Sequence, residues 1–321
     1  MVRKSMFILK FYKQFAKTKN NVFLHLFKYL IIAGIKLTTV SALITPLSVM
    51  AETKTLNFAL YGSEQRSSLD EQFGPVLREI EKSMRLSMGE EISIRSHFFL
   101  TYEDGVDALI EGKIDFTRIG AASYVKAKKL NKNISIIAVE SKKGKKTFTG
   151  VIAVNVKSPL KRLEDLKGKT FAFGNKKSTI GRYLSQHALY VHGLHASDFK
   201  KIVYLDQHDK VAISVAREVY DAGAFKMGIL TNPEISARVK VISTFQAPTQ
   251  PWVARQGISG KVLGHLRESL LNIKDKKILK NLKREGFLLG DDKDYNDIRK
   301  AMELNDLFIK PKIKATAHEE A

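Results

Sequence analysis

Short apolar segments alternate with amphipathic helical patterns along most of the chain. Leu56–Leu60 is a short, mostly apolar run, which is typical of a buried strand. The apolar residues that follow fall on one face of a helix: Phe73, Val76, Leu77, Ile80 and Met84. The same alternation predicts further strands at Ile92–Phe99, Ile114–Ile119, Ile134–Val139, Val151–Val154, Thr170–Phe173, Lys201–Leu205, Ala222–Phe225 and Val239–Thr244.

Helical patterns fill the intervals between these strands. They predict helices at 101–112, from Gly120 onward, and at Thr179–His192, Asp209–Arg217, Lys261–Leu271, Ile278–Arg284 and Tyr295–Leu307. Alternating strands and helices predict an α/β fold of mostly parallel sheets covered on both faces. Because the strands and helices form two sets of about 90 residues each, we expect two lobes.

The first 51 residues have the features of an export signal. They contain eight Lys and Arg residues and no Asp or Glu. The apolar segment Leu37–Met50 follows, and small residues stand at positions −3 and −1 of a cleavage site before Glu52. A retained membrane anchor formed by residues 29–51 is an alternative, and a misassigned start is another. Each alternative places residues 52–321 outside the cytoplasmic membrane, and we expect a periplasmic location.

Composition and charge narrow the classes of function. The chain has 321 residues, 44% of them apolar and 27% charged, and no Cys. The lack of Cys excludes disulfides, Cys-ligated zinc, iron–sulfur clusters and a thiol nucleophile. The net charge is +21, of which residues 1–51 carry +8, so +13 remains on residues 52–321. This excess favours an anionic partner, and nucleic acid, anionic lipid and a small oxyanion are all compatible with it.

The clearest chemical signal lies where an apolar strand leads into a helix. Phe171-Ala172-Phe173 is followed by the turn Gly174–Ser178, and Ser178 and Thr179 fall at the helix start. Backbone N–H groups without an intrahelical partner and two hydroxyls can donate there to a tetrahedral oxyanion. Gly181 leaves room near such a ligand. The alternative is an ordinary Ser or Thr helix cap.

Further candidates follow other strands. His208 stands between a strand and a helix, where it can donate to the same anion, although an exposed loop His is the alternative. Asp221 precedes Ala222-Gly223-Ala224 and suits a ligand that retains a proton or carries an amine; otherwise it is a solvated loop acid. Tyr61 and Tyr124 can donate hydroxyls from the first lobe, or they are core or rim aromatics. The other histidines lack metal-ligand spacing.

The ordered set of these segments resembles a known family. Leu163–Gly174, Ser178-Thr179-Ile180-Gly181, Gln207-His208-Asp209, Asp221–Ala224 and Gly120–Tyr124 are similar to segments of the periplasmic phosphate-, phosphite- and phosphonate-binding proteins of ABC transporters. The resemblance covers about residues 54–300. Ile180 stands where the family's clamp has a second Ser, so the identity of the anion stays open.

The resemblance implies a two-lobed (type II) periplasmic-binding-protein fold of the venus-flytrap kind, with hinge crossings near Glu140–Thr149 and Thr244–Gln250. Lobe 1 would span residues 52–143 and lobe 2 residues 144–246, with 247–310 returning to lobe 1 and 311–321 forming a tail. The ligand-binding residues would be Tyr61, Tyr124, Ser178, Thr179, the Ile180 backbone N–H, His208 and Asp221.

The same resemblance implies a binding protein without catalysis, cofactor or metal. It would close around a small phosphorus oxyanion and deliver it to an ABC transporter permease. The alternatives are a membrane-tethered sensory subunit of the same fold for another small anion, an enzyme, and a nucleic-acid binder. The enzymes of related fold are associated with a Cys-rich motif that this chain lacks, and nucleic-acid binding conflicts with an export signal.

Overall fold

The computed structural model describes residues 53–61 and 66–310. The predicted export segment, residues 1–51, and the predicted tail, residues 311–321, lie outside these ranges. Within them, no helix combines the length and the apolar character that a membrane span requires.

The described strands form two separate sheets. In chain order they are β1 Lys54–Tyr61, β2 Ile92–Phe99, β3 Phe116–Arg118, β4 Ser135–Ser141, β5 Thr147–Asn155, β6 Thr170–Phe173, β7 Lys201–Tyr204, β8 Ala222–Lys226, β9 Val239–Pro248, β10 Pro251–Ala254 and β11 Gly286–Leu288. One sheet has the order β11-β4-β10-β3-β1-β2 and the other β7-β6-β8-β5-β9. We call the first sheet and its helices lobe 1, and the second lobe 2.

Helices cover the faces of both sheets. The α-helices are α1 Arg66–Met88, α2 Tyr102–Ile110, α3 Ala121–Leu130, α4 Ser185–Val191, α5 His208–Ala216, α6 Pro233–Ser236, α7 Gly260–Leu271, α8 Lys276–Asn281, α9 Asn296–Glu303 and α10 Asn305–Ile309. Short 3₁₀ turns lie at Leu163–Leu166, Ala196–Asp198, Met227–Thr231 and Asp292–Tyr295, and a π-helical turn spans Thr179–Leu184.

Both sheets are mixed, whereas the sequence pattern predicts mostly parallel ones. β1 is parallel to β2 and β3, and β6 is parallel to β7 and β8, but the other strand pairs are antiparallel. The reason is the path of the chain, which leaves lobe 1 along β4 and returns along β10. Strands that carry the chain out of and back into one sheet run in opposite directions.

Each sheet has its own aromatic core. In lobe 1, Phe58 stacks on Trp252 with ring centroids 5.3 Å apart, and both are buried. In lobe 2, Phe173 packs against Phe308 of α10 at 6.0 Å. Residues 305–309 therefore pack on lobe 2, whereas the sequence placed the whole of 247–310 with lobe 1. The bulky apolar Phe308 explains this, because it completes the lobe 2 core.

A buried ion cluster lies where the chain passes between the lobes. The fully buried Glu140, on β4, accepts hydrogen bonds from Arg118 at 2.9 Å and from Arg284. Arg284 also donates to the Gln250 side chain at 3.0 Å, in the second crossing. Burial raises the pKa of Glu140, but the two guanidinium groups outweigh it and hold the pKa at about 2. The cluster thus links both hinge crossings to lobe 1.

Removing the charge of Glu140 is expected to destabilise the protein strongly. In Glu140→Gln two partly buried arginines lose their counter-charge, which costs about 3–5 kcal/mol of unfolding free energy. Urea unfolding at pH 7 measures this loss. The matched control is Glu164→Gln, an exposed residue whose ion pair with Arg162 is worth at most about 1 kcal/mol. A loss for Glu140→Gln no greater than for the control would show that the cluster is not stabilising.

Candidate functional site

A pair of glycines fixes the position of the helix that follows β6. The Gly174 N–H donates to the Gly181 carbonyl oxygen at 2.8 Å, so the turn folds back on itself. A Cβ on Gly181 would lie 2.9 Å from the Gly174 Cα, closer than real Cβ contacts. Only glycine at this position permits the approach. The helix therefore starts directly at the carboxyl edge of the lobe 2 sheet.

The helix begins as a π-helical turn, Thr179–Leu184, and continues into α4. Single π-helical turns occur frequently at functional sites. The Ser178 hydroxyl oxygen caps the turn by accepting from the Gly181 N–H at 2.9 Å. Its hydroxyl hydrogen stays available for another acceptor. The N–H groups of Thr179 and Ile180 precede every intrahelical acceptor and are also available to a ligand.

His208, the first residue of α5, lies against the same turn. Its Nδ1 is 3.8 Å from the position of a Cβ built on Gly174. Within residues 53–61 and 66–310, it is the buried side-chain nitrogen or oxygen atom that lacks a hydrogen-bond partner. Burial, and secondarily the charge of Lys226, lower the pKa of His208 from 6.5 to about 3. The imidazole is therefore neutral at pH 7.

Lobe 1 meets this turn with the start of α3. The Thr179 hydroxyl oxygen accepts from the Ala122 N–H at 3.0 Å, which joins the two lobes. Tyr61, at the end of β1, accepts from the Gly120 N–H at 3.2 Å. Burial, and then Tyr102, raise the pKa of the Tyr61 phenol. Tyr61 is thus a neutral hydroxyl beside the contact between the lobes.

Five of the residues predicted from the sequence lie in this one region. A continuous set of contacts runs from His208 through Gly174 and the Ser178 turn to Thr179, and from there into lobe 1. Tyr61 stands at its far end, and Ile180 is buried among lobe 1 residues. The structure brings these residues together: Tyr61, Ser178, Thr179, Ile180 and His208.

The hydroxyl of Tyr124 is engaged elsewhere, although its ring lies in the same apolar cluster as Ile180, against which Tyr61 also packs. Its side chain is buried, and its hydroxyl donates to Asp292 at 2.6 Å. Its ring packs on Tyr295 at 4.7 Å. Burial, and then the hydrogen bond to Asp292, raise the pKa of the phenol. Tyr124 lies on the core-facing side of α3, where it anchors the C-terminal segment to lobe 1.

Asp221 lies at the opposite edge of the lobe 2 sheet. It precedes β8, which runs parallel to β6, so it stands at the amino ends of these strands. Its carboxylate accepts from the Thr170 N–H at 2.8 Å and from the Thr170 hydroxyl at 2.7 Å. Burial raises its pKa, but these two bonds outweigh the burial and lower it. The structure thus places Asp221 away from Ser178, contrary to the expectation that both residues bind the ligand: this acid ties two strand starts together.

The structure adds cations that the sequence analysis did not single out. Arg118, at the end of β3, is close enough to lower the pKa of Tyr61, although burial dominates there. Arg182 lies in the π-helical turn, three residues after Thr179. The sequence signal that could have identified them is their position. Arg118 is the last residue of a strand, and Arg182 lies in the first turn of a helix. Among the described residues, no cluster of three or more His, Asp or Glu side chains is arranged to hold a metal ion.

The comparisons with known proteins identify a family. The family model for the periplasmic phosphonate substrate-binding protein of an ABC transporter matches residues 58–295. The phosphonates-binding periplasmic protein of Escherichia coli (strain K12) is 25% identical over 256 residues, which are 75% of this chain and 74% of that protein. These relatives are binding proteins of transporters and not enzymes.

Two solved structures share the fold. A Xanthomonas citri protein bound to ATP gives a TM-score of 0.68 at 18% identity and covers 80% of this chain and 100% of its own. PhnD1 of Prochlorococcus marinus (strain MIT 9301), in complex with methylphosphonate, gives a TM-score of 0.65 at 23% identity. The match covers 78% of this chain and 98% of that protein. The two-lobed α/β fold predicted from the sequence is confirmed. The chain belongs to the family of periplasmic phosphonate-binding proteins of ABC transporters.

Proposed function

We propose that this protein captures a small phosphorus oxyanion between its lobes and delivers it to an ABC transporter permease. The ligand class comprises phosphonates, phosphite and phosphate. Two named relatives support it: the E. coli protein is a phosphonates-binding protein, and PhnD1 of P. marinus was solved with methylphosphonate. The net charge of +13 on residues 52–321 suits such a ligand.

The observation that carries the proposal is the unpartnered Nδ1 of His208. A buried polar atom without a hydrogen bond costs about 1–3 kcal/mol, so proteins rarely leave one unless a ligand completes it. The atom lies against Gly174, whose turn leads into the helix start with its free N–H groups. A neutral imidazole that carries its proton on Nδ1 can donate a hydrogen bond there to an anionic oxygen of the ligand. The ligand then supplies the partner that the buried Nδ1 lacks in the unliganded protein.

The other donors around this point fit a tetrahedral anion. The hydroxyls of Ser178 and Thr179 and the N–H groups of Thr179 and Ile180 can donate to it from lobe 2, and the Tyr61 hydroxyl can donate from lobe 1. Hydrogen bonds to an ionised oxygen are about twice as strong as neutral ones. Closure of the lobes excludes water and lowers the local dielectric, which strengthens each of these bonds further.

Loss of single donors is expected to weaken ligand binding. In Thr179→Ala and in His208→Ala, the dissociation constant for methylphosphonate should rise by the equivalent of about 1.5–3 kcal/mol each, the range for hydrogen bonds to charged groups. Isothermal titration of the purified full-length protein at pH 7.5 measures the change.

Matched variants control for effects on folding. Thr231→Ala and His192→Ala remove the same side chains from exposed positions of lobe 2 and should leave the affinity unchanged. If Thr179→Ala and His208→Ala bind methylphosphonate, phosphite and phosphate as tightly as the controls do, the binding groups lie elsewhere. If the unmodified protein binds none of these three anions, the proposed ligand class is wrong.

Stability should depend on pH through His208. The pKa is about 3 in the folded protein and 6.5 in the unfolded chain, so between these values the unfolded chain binds one proton more. The free energy of unfolding of the unliganded protein therefore falls as the pH drops from 6.5 towards 3, by up to about 1.4 kcal/mol per pH unit from this group. Urea unfolding at pH 7.5, 5.5 and 4.5 measures it.

The variant His208→Asn should flatten this dependence, whereas His192→Asn, at an exposed site, should not. Identical pH dependence in the two variants would show that folding does not lower the pKa of His208, and the buried position assigned to its imidazole would then be wrong.

A further inference from the structure

A cavity of about 340 Å³ lies between the lobes, beside the contact of Thr179 with Ala122. Ala122 forms part of its wall, together with Lys126 one turn further along α3. Arg182 and Tyr183 of the π-helical turn line the opposite side. The cavity therefore adjoins the helix start that holds the anion in the proposed function.

The charges around the cavity do not balance. Its lining contains four cations, Lys126, Lys176, Lys177 and Arg182, and a single carboxylate, Glu103. The Glu103 carboxylate already forms an ion pair with Lys177, and its Oε1 lies 3.9 Å from the Lys126 Nζ. The cavity thus keeps an excess of positive charge after every internal ion pair has formed.

Arg182 is the cation whose charge is least compensated. It is half-buried, and the described residues give it no carboxylate partner. Its N–H groups donate to neutral acceptors: the Lys176 carbonyl at 2.7 Å, Asn305 at 2.7 Å and Gln186 at 3.4 Å. The guanidinium carbon lies 4.9 Å from the Tyr183 ring centroid.

These contacts hold the Arg182 guanidinium in a fixed orientation at the cavity wall. They use three of its five N–H donors, and two remain. A half-buried cation loses hydration, and an anionic partner would repay that cost. Arg182 also follows Thr179 by only three residues within the same π-helical turn, so a short organic substituent of an anion held at the helix start can reach it.

We infer that the cavity binds a second anionic group on the ligand, so that the preferred substrates are phosphonates whose substituent carries a carboxylate or another oxyanion. This inference rests on the proposed function, because the phosphonate end is held at Ser178, Thr179 and His208. Arg182 and Lys126 then receive the second group. An amine-bearing phosphonate would place its ammonium group among four cations and is disfavoured.

Three ligands of equal carbon number test the inference: 3-phosphonopropionate, propylphosphonate and 3-aminopropylphosphonate. Isothermal titration of the full-length protein at pH 7.5 should show that 3-phosphonopropionate binds about tenfold tighter than propylphosphonate, as expected for one charge-assisted bond. 3-Aminopropylphosphonate should bind most weakly.

Variants identify the residue responsible. Arg182→Gln should bring the affinity ratio of 3-phosphonopropionate to propylphosphonate close to one, while the affinity for propylphosphonate changes less than about threefold. Arg182→Lys, which keeps the charge, should restore part of the preference. Lys129→Gln, on an exposed face of α3 outside the cavity, controls for net charge and should retain the full ratio. Circular dichroism and melting temperature confirm folding.

The outcomes separate this inference from the proposed function. If propylphosphonate binds but the carboxylate gives no advantage, or if the amine binds tightest, the second-anion subsite is wrong and the phosphonate site stands. An advantage that survives in Arg182→Gln also overturns it. If none of the three ligands binds, and methylphosphonate, phosphite and phosphate also fail, both proposals fall.

Discussion

The close approach of the Gly174 and Gly181 backbones determines where the proposed binding groups of lobe 2 lie. A side chain at Gly181 would collide with the Gly174 Cα, so the turn closes only with glycine there. This closure turns the start of the Thr179 helix back over the carboxyl edge of β6. It also brings His208, which follows the neighbouring strand β7, against the same turn. In a sheet of parallel strands, ligands bind at this edge.

The strand, turn and helix start of this region could be located from the sequence because their signals are local. A strand that ends in a Gly-containing turn and a Ser-Thr helix start specifies the position of free N–H groups without knowledge of the tertiary fold. His208 follows from the same rule applied to the next strand. Asp221 fails the rule, because it precedes its strand and so stands at the amino edge with Thr170. Tyr124 fails for another reason: the face of α3 that is buried depends on packing against Tyr295.

Other features depended on contacts between distant parts of the chain. The strands β10 and β11 have four and three residues, too short for a periodic pattern, and they form by pairing with β4. The Glu140 cluster joins residues that are up to 144 positions apart. This cluster contains two arginines and one carboxylate, and the lining of the interlobe cavity contains four cations and one carboxylate. Positive charge is in excess at both places. Part of the positive excess in the composition thus lies near the hinge and the crevice, where it suits the anionic ligand proposed above.

The most direct test of the account is a crystal structure of the protein with methylphosphonate. The account predicts that one phosphonate oxygen lies within about 2.7–3.2 Å of the His208 Nδ1 and that another accepts from the N–H groups at the start of the Thr179 helix. Methylphosphonate found away from that helix start, with the His208 Nδ1 still unpartnered, would contradict it.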